Sequence, residues 1–128
     1  MTPRLAIVAA SLLMAVAVAF GAFGAHPLKA RLAPDMLAVW QTGVTYHVSH
    51  ALALFLLGLL MLHAPGSIAL RYAAWLFIAG IVLFAGSLYL LALGAPRWFG
   101  AVTPFGGVAF IAGWVALAAG ALRSVPEV

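Results

Sequence analysis

Four long apolar stretches, separated by short segments that hold most of the charged and turn-forming residues, divide the chain of 128 residues. A helix needs about 20 predominantly apolar residues to cross a bilayer, and the stretches are of that order. We therefore predict an all-α membrane protein, folded as a four-transmembrane-helix bundle in one domain over residues 1–128. The predicted spans cover residues 5–25, 44–63, 71–93 and 105–122.

Prolines mark two of the predicted helix boundaries. His26 precedes Pro27 and is therefore disfavoured in helical geometry, which ends the first helix. Pro34 and Asp35 suit the first turn of the second helix, which continues to about His63. That helix is then about 43 Å long, against about 30 Å of hydrocarbon, so its first two turns should lie among the lipid headgroups.

Aromatic residues near the ends of the stretches are expected at the membrane interfaces, where Trp and Tyr are enriched. In the second helix, Gly43 is a candidate bend. Thr103, followed by proline, is the expected N-cap of the last helix. The expected interfacial residues are Trp40, Tyr72, Trp75 and Tyr89.

The first apolar stretch also has the alternative of a cleaved signal peptide, because Arg4 precedes it and small residues occur at Ala22 and Gly24. Signal peptides have a shorter apolar core, whereas the run over 5–25 has spanning length. We therefore expect the first helix to be retained.

Small residues recur at intervals of seven within the predicted helices. Such spacing lets helix backbones approach closely in lipid, where no hydrophobic force drives helices together. The last helix carries the clearest series, because each glycine lowers helix propensity by about 1 kcal/mol relative to alanine. The residues expected to pack helices together are Gly106, Gly113 and Gly120, with Gly80 and Ser87 in the third helix.

Composition restricts the class of protein. Only 6% of residues are charged, and the mean hydropathy is +1.22. That hydropathy is far above the value for a soluble domain of this size, which could not bury so much apolar surface. The net charge of +4 comes from scattered residues without a basic run, so we expect it to face membrane lipid and not nucleic acid. Cysteine is absent, which excludes disulfides, thiolate metal sites and cysteine nucleophiles.

Four short blocks resemble a known family when they are taken together. They are Gly-Ala-Phe-Gly-Ala-His (21–26), Gln-Thr-Gly-Val-Thr-Tyr-His-Val-Ser-His-Ala-Leu-Ala-Leu (41–54), Leu-Phe-Ala-Gly-Ser-Leu-Tyr (83–89) and Val-Thr-Pro-Phe-Gly-Gly (102–107). In this order they look like the domain of unknown function 423 family of small bacterial inner-membrane proteins, which is similar also to a eukaryotic four-span protein. The resemblance implies four spans and cytoplasmic termini. It supplies no activity and no catalytic residues, and the C-terminus departs from the more basic family tail because Arg123 is its only basic residue.

The second helix begins with a polar stripe that is the first candidate site. At 100° per residue, Thr42, Tyr46, Ser49 and His50 share an arc of about 100°, and His47 lies about 60° beyond. One reading is packing, in which His50 and Tyr46 bond the backbone of the first or last helix; the alternative is a ligand or proton site. The full candidate surface on this helix is Gln41, Thr42, Tyr46, His47, Ser49 and His50.

The two histidines of this stripe do not predict a metal site. His47 and His50 are three residues apart on one helix, and two histidines are too few for a closed coordination shell. We therefore predict neither a metal nor a cofactor. The remaining histidine of this helix, His63, is expected to be an interfacial residue.

The loop after the first helix is the second candidate site. It carries His26, Lys29, Arg31 and Asp35. One interpretation is a surface salt bridge from Asp35 to Lys29 or Arg31; the alternative is a site for an anionic lipid headgroup.

These patterns favour a non-enzymatic accessory, assembly or lipid-binding module. Its partners would be membrane lipid and either another membrane protein or a second copy. Apart from Arg71 at the edge of the third span, no Asp, Glu, Lys or Arg lies within the four spans, whereas proton-coupled exporters generally embed a carboxylate. The alternative is a small homodimeric transporter or channel that uses the stripe, and an intramembrane enzyme ranks third.

Charge leaves the orientation evenly balanced. Three basic residues lie on each side of the membrane, and only the terminal amine favours cytoplasmic termini under the positive-inside rule. We expect a bacterial inner-membrane protein with both termini in the cytoplasm; the alternative is a protein that inserts both ways and pairs antiparallel. The two sets are Arg4, Arg71 and Arg123 against Lys29, Arg31 and Arg97.

Overall fold

The computed structural model describes residues 1–124, and residues 125–128 of the predicted domain lie outside the described part. Within residues 1–124 the regular structure is helical and contains no strand. The α-helices are Pro3–Ala25 (α1), Pro34–His63 (α2), Ile68–Gly80 (α3), Gly86–Ala92 (α4) and Thr103–Ser124 (α5), with a π-helical segment at Ile81–Ala85 and a 3-10 helix at Arg97–Ala101.

Four helical spans are long and apolar enough to cross a membrane. They are Pro3–Ala25, Pro34–His63, Ile68–Ala92 and Arg97–Ser124. The third span consists of α3, the π segment and α4 in succession, and the fourth begins with the 3-10 helix that precedes α5. The predicted all-α class with four transmembrane helices is confirmed.

Local hydrogen bonds and proline explain where the helices begin. The side chains of Thr2 and Ser67 accept hydrogen bonds from backbone N–H groups three residues further on, and so cap α1 and α3. α2 begins at Pro34 with Asp35 in its first turn, as the pair predicts. Thr103 is the first residue of α5 and not its N-cap, and its hydroxyl has a different partner, described below.

The helices pack as two pairs joined through α2. α1 packs along α2, α5 packs along α3, and α2 also contacts α3, the π segment and α4. Within the described residues, α1 and α5 make no extensive contact with each other. Both outer helices therefore present a broad apolar face to lipid, and the buried core lies between α2 and α3. Its largest fully buried side chains are Leu54, Leu57, Met61, Leu70 and Phe77.

The three glycines of α5 face three large residues of the third span, and both series are spaced by seven residues in an antiparallel register. A Cβ at Gly113 would lie 2.8 Å from the ring of Phe77, and one at Gly106 would meet the backbone of Phe84. The absent side chains are what allow the two helices to come this close. The pairs are Gly120 with Leu70, Gly113 with Phe77 and Gly106 with Phe84.

The same device joins α1 to α2. A Cβ at Gly58 would lie 3.2 Å from the backbone nitrogen of Ile7, and one at Gly24 would lie 2.8 Å from the Trp40 ring. Trp40 is only 4% exposed and Tyr89 only 7%, so both side chains are buried inside the bundle, and their predicted depth at the membrane interfaces stays a prediction. The polar groups of both side chains form hydrogen bonds inside the protein, so neither needs water as a partner.

Candidate functional site

The predicted polar stripe of α2 divides into a buried half and an exposed half. His47 and His50 are buried, at 3% and 6% exposure. Two of the exposed members donate hydrogen bonds to their own helix. The hydroxyls of Thr42 and Ser49 bond the carbonyls four residues earlier, at 3.0 and 2.7 Å. The stripe is therefore not one interior surface. Its exposed members are Gln41, Thr42, Tyr46 and Ser49.

His50 joins α2 to α5. Its Nδ1 lies 2.8 Å from the Tyr46 carbonyl, which can only accept, so Nδ1 carries the proton. Its Nε2 then accepts the indole N–H of Trp114 at 3.1 Å, and the ring stacks on Phe110 with centroids 3.5 Å apart. The packing reading expected bonds from His50 to a neighbouring helix backbone. The structure instead supplies a side chain of α5 and the backbone of α2 itself.

His47 joins α2 to α4. Its Nδ1 lies 3.1 Å from the Tyr89 hydroxyl, and Gly43 makes room for this contact because a Cβ there would lie 2.8 Å from the Tyr89 ring. Gly43 thus provides the space that the Tyr89 ring occupies, and the bend expected at this position stays a prediction. The Nε2 of His47 is buried without a hydrogen-bond partner within residues 1–124, although the Leu13 carbonyl of α1 lies near the ring.

The two histidines serve different helices, so their spacing does not create a shared ligand set. His47 bonds Tyr89 of α4 and His50 bonds Trp114 of α5. Residues 1–124 contain no group of three His, Cys, Asp or Glu side chains placed to hold a metal ion. His63 is exposed and close to the carbonyl of Leu59 in its own helix.

An aromatic cluster extends from Tyr89 towards α1. The indole N–H of Trp40 donates to the Phe20 carbonyl at 2.8 Å. The rings of Phe20, Trp40 and Tyr89 lie mutually 4.6 to 5.2 Å apart between centroids. The cluster therefore ties α1, α2 and α4 together at the end of the bundle that carries the loop after α1.

Ser87 links α4 to the start of α5. Its hydroxyl donates to the Phe84 carbonyl at 2.9 Å, as expected for a serine bonded to its own helix. That leaves the Thr103 hydroxyl as the donor in the 2.7 Å contact between the two side chains. The pair lies next to the π segment, where helical hydrogen bonding is locally rearranged.

A groove of about 510 Å³ opens between α1 and the third span, beside these polar contacts. Its walls are almost entirely apolar and aromatic, which is the chemistry of a site for a hydrocarbon ligand. The side chains that the sequence placed at interfaces, Trp40 and Tyr89, form part of it. The wall includes Phe20, Trp40, Gly86, Tyr89, Leu93, Phe99 and Val102.

The predicted loop residues lie outside the groove at the same end of the bundle. All four are exposed. No ion pair joins Asp35 to Lys29 or Arg31 within residues 1–124, so the predicted salt bridge is not formed. Arg97 is exposed in the 3-10 helix that begins two residues before Phe99 of the groove wall. The four loop residues are His26, Lys29, Arg31 and Asp35.

Sequence reasoning missed the groove and most of its wall. Phe20, Leu93 and Phe99 look like any other apolar residue in a membrane span, and nothing in the pattern groups them. The signal that was available is the position of the four blocks. Gly43 and His47 of the second block contact Tyr89 of the third, while Thr103 of the fourth bonds Ser87 of the third.

The chain matches a family model described as a protein of unknown function (DUF423) over residues 20–107. Among curated relatives, the UPF0382 membrane protein YwdK of Bacillus subtilis is 46% identical over 108 residues, covering 84% of this chain and 88% of that protein. The UPF0382 membrane protein SAB0533 of Staphylococcus aureus is 42% identical over 114 residues, covering 89% and 92%. SERP0230 of Staphylococcus epidermidis, with the same description, is 44% identical over 108 residues, covering 84% and 87%. No solved structure matches the chain.

Proposed function

This chain belongs to the DUF423 family of proteins of unknown function, and from that premise we propose that it is a non-enzymatic membrane module that binds an anionic lipid. The acyl chain occupies the groove beside Trp40 and Tyr89. The headgroup faces the basic residues of the two neighbouring loops. Neither the family description nor the names of the relatives indicate an enzymatic activity.

The observation that carries this proposal is the groove itself. It holds about 510 Å³ and is open at the side of the bundle, where a lipid chain can enter without crossing a polar barrier. Its apolar and aromatic wall offers a chain dispersion contacts and few hydrogen bonds. A polar substrate would find almost no partner there, which favours hydrocarbon.

The proposed headgroup charge follows from the basic residues at the same end of the bundle as the groove. Lys29, Arg31 and Arg97 are exposed there, and Asp35 is the only carboxylate beside them in residues 1–124. Each basic residue near an anionic bilayer contributes about 1 kcal/mol of attraction. An anionic headgroup is therefore favoured over a zwitterionic one.

The alternative, a transporter that uses the α2 stripe, has weaker support. A translocation path needs polar groups that change partners, but the Nδ1 and Nε2 atoms of His50 are both occupied by protein groups. The exposed hydroxyls of Thr42 and Ser49 bond their own helix. Both features favour a structural role for these residues over a translocation path.

The location that fits this module is the bacterial inner membrane, with several spans and both termini in the cytoplasm. Four spans return the chain to its starting side. The family resemblance in the four blocks implies the same arrangement. The basic loops would then face the outer leaflet.

The groove can be tested by filling it. Gly86 lies in the groove wall, and a Cβ there meets nothing within 4 Å, so Gly86→Leu should occupy the groove without disturbing the helices. The matched control is Gly107→Leu, which lies outside the groove wall and whose Cβ would have only ordinary contacts at 3.8 Å. Both are made with Trp40 as the only tryptophan, the other three being replaced by Phe.

The readout is quenching of Trp40 fluorescence by phosphatidylglycerol with brominated acyl chains in reconstituted vesicles. Because Trp40 is 4% exposed and lines the groove, a chain in the groove should quench it, and Gly86→Leu should remove at least half of that quenching while Gly107→Leu leaves it. Brominated phosphatidylcholine should quench less. Equal quenching with Gly86→Leu and Gly107→Leu would contradict the acyl-chain site, and equal quenching by the two lipids would contradict the anionic preference.

A further inference from the structure

Tyr46 is a hydrogen-bond donor left without an acceptor on the outer face of α2. Its side chain is 42% exposed, and its hydroxyl makes no hydrogen bond within residues 1–124, although the ring packs on Phe84 with centroids 4.5 Å apart. The phenol therefore carries a donor for which residues 1–124 provide no acceptor.

The same face of α2 carries acceptors that lack a donor. The hydroxyls of Thr42 and Ser49 donate to carbonyls of α2, at 3.0 and 2.7 Å. Each oxygen keeps lone pairs that can accept a hydrogen bond. The face thus presents one unused donor next to two unused acceptors.

The depth of Tyr46 in the bilayer decides which molecules can hydrogen-bond to these groups. His50 stacks on Phe110, and Phe110 lies against Gly80 at the middle of the third span. Tyr46 is four residues from His50, so its backbone lies about 6 Å from that level. The hydrocarbon extends about 15 Å on each side of the midplane. Lipid tails at that depth offer neither donors nor acceptors.

We propose that a second copy of this chain covers this face, in a parallel two-fold dimer in which the Tyr46 hydroxyl of each copy donates to the Ser49 oxygen of the other. A two-fold axis places the same surface on both sides of the interface. The face carries both the Tyr46 donor and the Ser49 acceptor. A two-fold axis therefore pairs each donor with the acceptor of the other copy. The interface lies outside the α2–α5 contact made by His50 and Trp114.

This interface is separate from the lipid groove. Trp40, which lines the groove, and Tyr46 are six residues apart on α2, which is about 120° around the helix. The groove opens between α1 and the third span, whereas Tyr46 lies beside Phe84 and Phe110. Loss of one site therefore leaves the other in place.

The chain has no cysteine, so a single introduced thiol reports the interface without background. Thr45→Cys places a thiol one turn from Ser49 on the same face. Ser11→Cys is the matched control, because Ser11 is an exposed hydroxyl residue of α1 that also bonds its own helix, at 2.9 Å. On oxidation in native membranes, Thr45→Cys should form disulfide-linked dimers and Ser11→Cys should not.

Tyr46→Phe, added to Thr45→Cys, tests the hydrogen bond itself. It removes only the donor, and with two symmetric bonds the dimerisation constant should fall about tenfold. Tyr72→Phe is the control for loss of an exposed phenol elsewhere and should leave the linked fraction unchanged. Equal linking of Thr45→Cys and Ser11→Cys, or linking that ignores Tyr46→Phe, would overturn the proposal.

Discussion

At the scale of the residue, the glycines of the bundle differ in what surrounds them. A Cβ at Gly106 would meet the backbone nitrogen and Cα of Phe84, which cannot turn away as a side chain can. A Cβ at Gly86 meets open space. The same substitution should therefore have opposite effects at the two positions.

We expect Gly106→Ala to destabilise the protein and Gly86→Ala to stabilise it or leave it unchanged. Forced overpacking costs about 1 to 3 kcal/mol, while alanine improves helix propensity by about 1 kcal/mol. Thermal unfolding in detergent measures the order of the two variants and the parent. A Gly106→Ala protein as stable as Gly86→Ala would mean that α5 does not rest on the Phe84 backbone.

The residue scale also explains why the polar stripe was only partly predictable. Helical spacing gives the angles between Thr42, Ser49 and His50, but it does not say which direction is inward. Ser and Thr can face lipid because their own helix carbonyls accept their hydrogens. An imidazole has two ring nitrogens to satisfy, and His50 does so only by also reaching Trp114. The hydrogen-bonding needs of each side chain, more than the helical period, therefore decide which residues of the stripe are buried.

At the scale of the element, Gly43 and Tyr89 fix how α2 meets α4. Tyr89→Phe removes one hydrogen bond to His47, a contact that in membrane proteins averages about 0.6 kcal/mol. Gly43→Ala would push the whole Tyr89 ring, which also packs against Phe20 and Trp40. We therefore expect Gly43→Ala to lower thermal stability more than Tyr89→Phe.

The control for this comparison is Gly107→Ala, where the added Cβ would lie an ordinary 3.8 Å from the Phe84 ring. It should stay close to the parent. If Tyr89→Phe proved as harmful as Gly43→Ala, the hydrogen bond to His47 would outweigh the aromatic packing, contrary to the expected order.

The sequence predicted the elements well where local chemistry decides them. Pro34 begins α2 as its fixed backbone geometry predicts. The π segment Ile81–Ala85 interrupts a third helix that the pattern predicts as continuous. Its apolar residues resemble their neighbours, and the close approach of Gly106 to Phe84 is a tertiary contact that no local pattern contains. The burial of Trp40 and Tyr89 escaped prediction for the same reason.

At the scale of the whole molecule, the two proposed surfaces divide the outside of the bundle between them. In the two proposals, the groove between α1 and the third span binds lipid and the outer face of α2 contacts a second copy. A parallel dimer keeps both basic ends together, so Lys29, Arg31 and Arg97 of two copies would face one leaflet. That arrangement requires the two copies of a dimer to share one orientation in the membrane.

Orientation is therefore the prediction on which the molecular picture depends. The terminal side carries Arg4, Arg71, Arg123 and the terminal amine, against three basic residues on the loop side, so the positive-inside rule gives a small excess for cytoplasmic termini. C-terminal reporters that are active on only one side of the membrane should give signal from the cytoplasmic reporter alone. Two lysines added after Arg123 should not change this result.

Signal from both reporters that collapses to the cytoplasmic one after the lysines are added would mean insertion in both orientations. If oppositely inserted copies then paired with each other, Tyr46 would lie opposite a residue beyond the midplane and away from Ser49, which would contradict the parallel dimer.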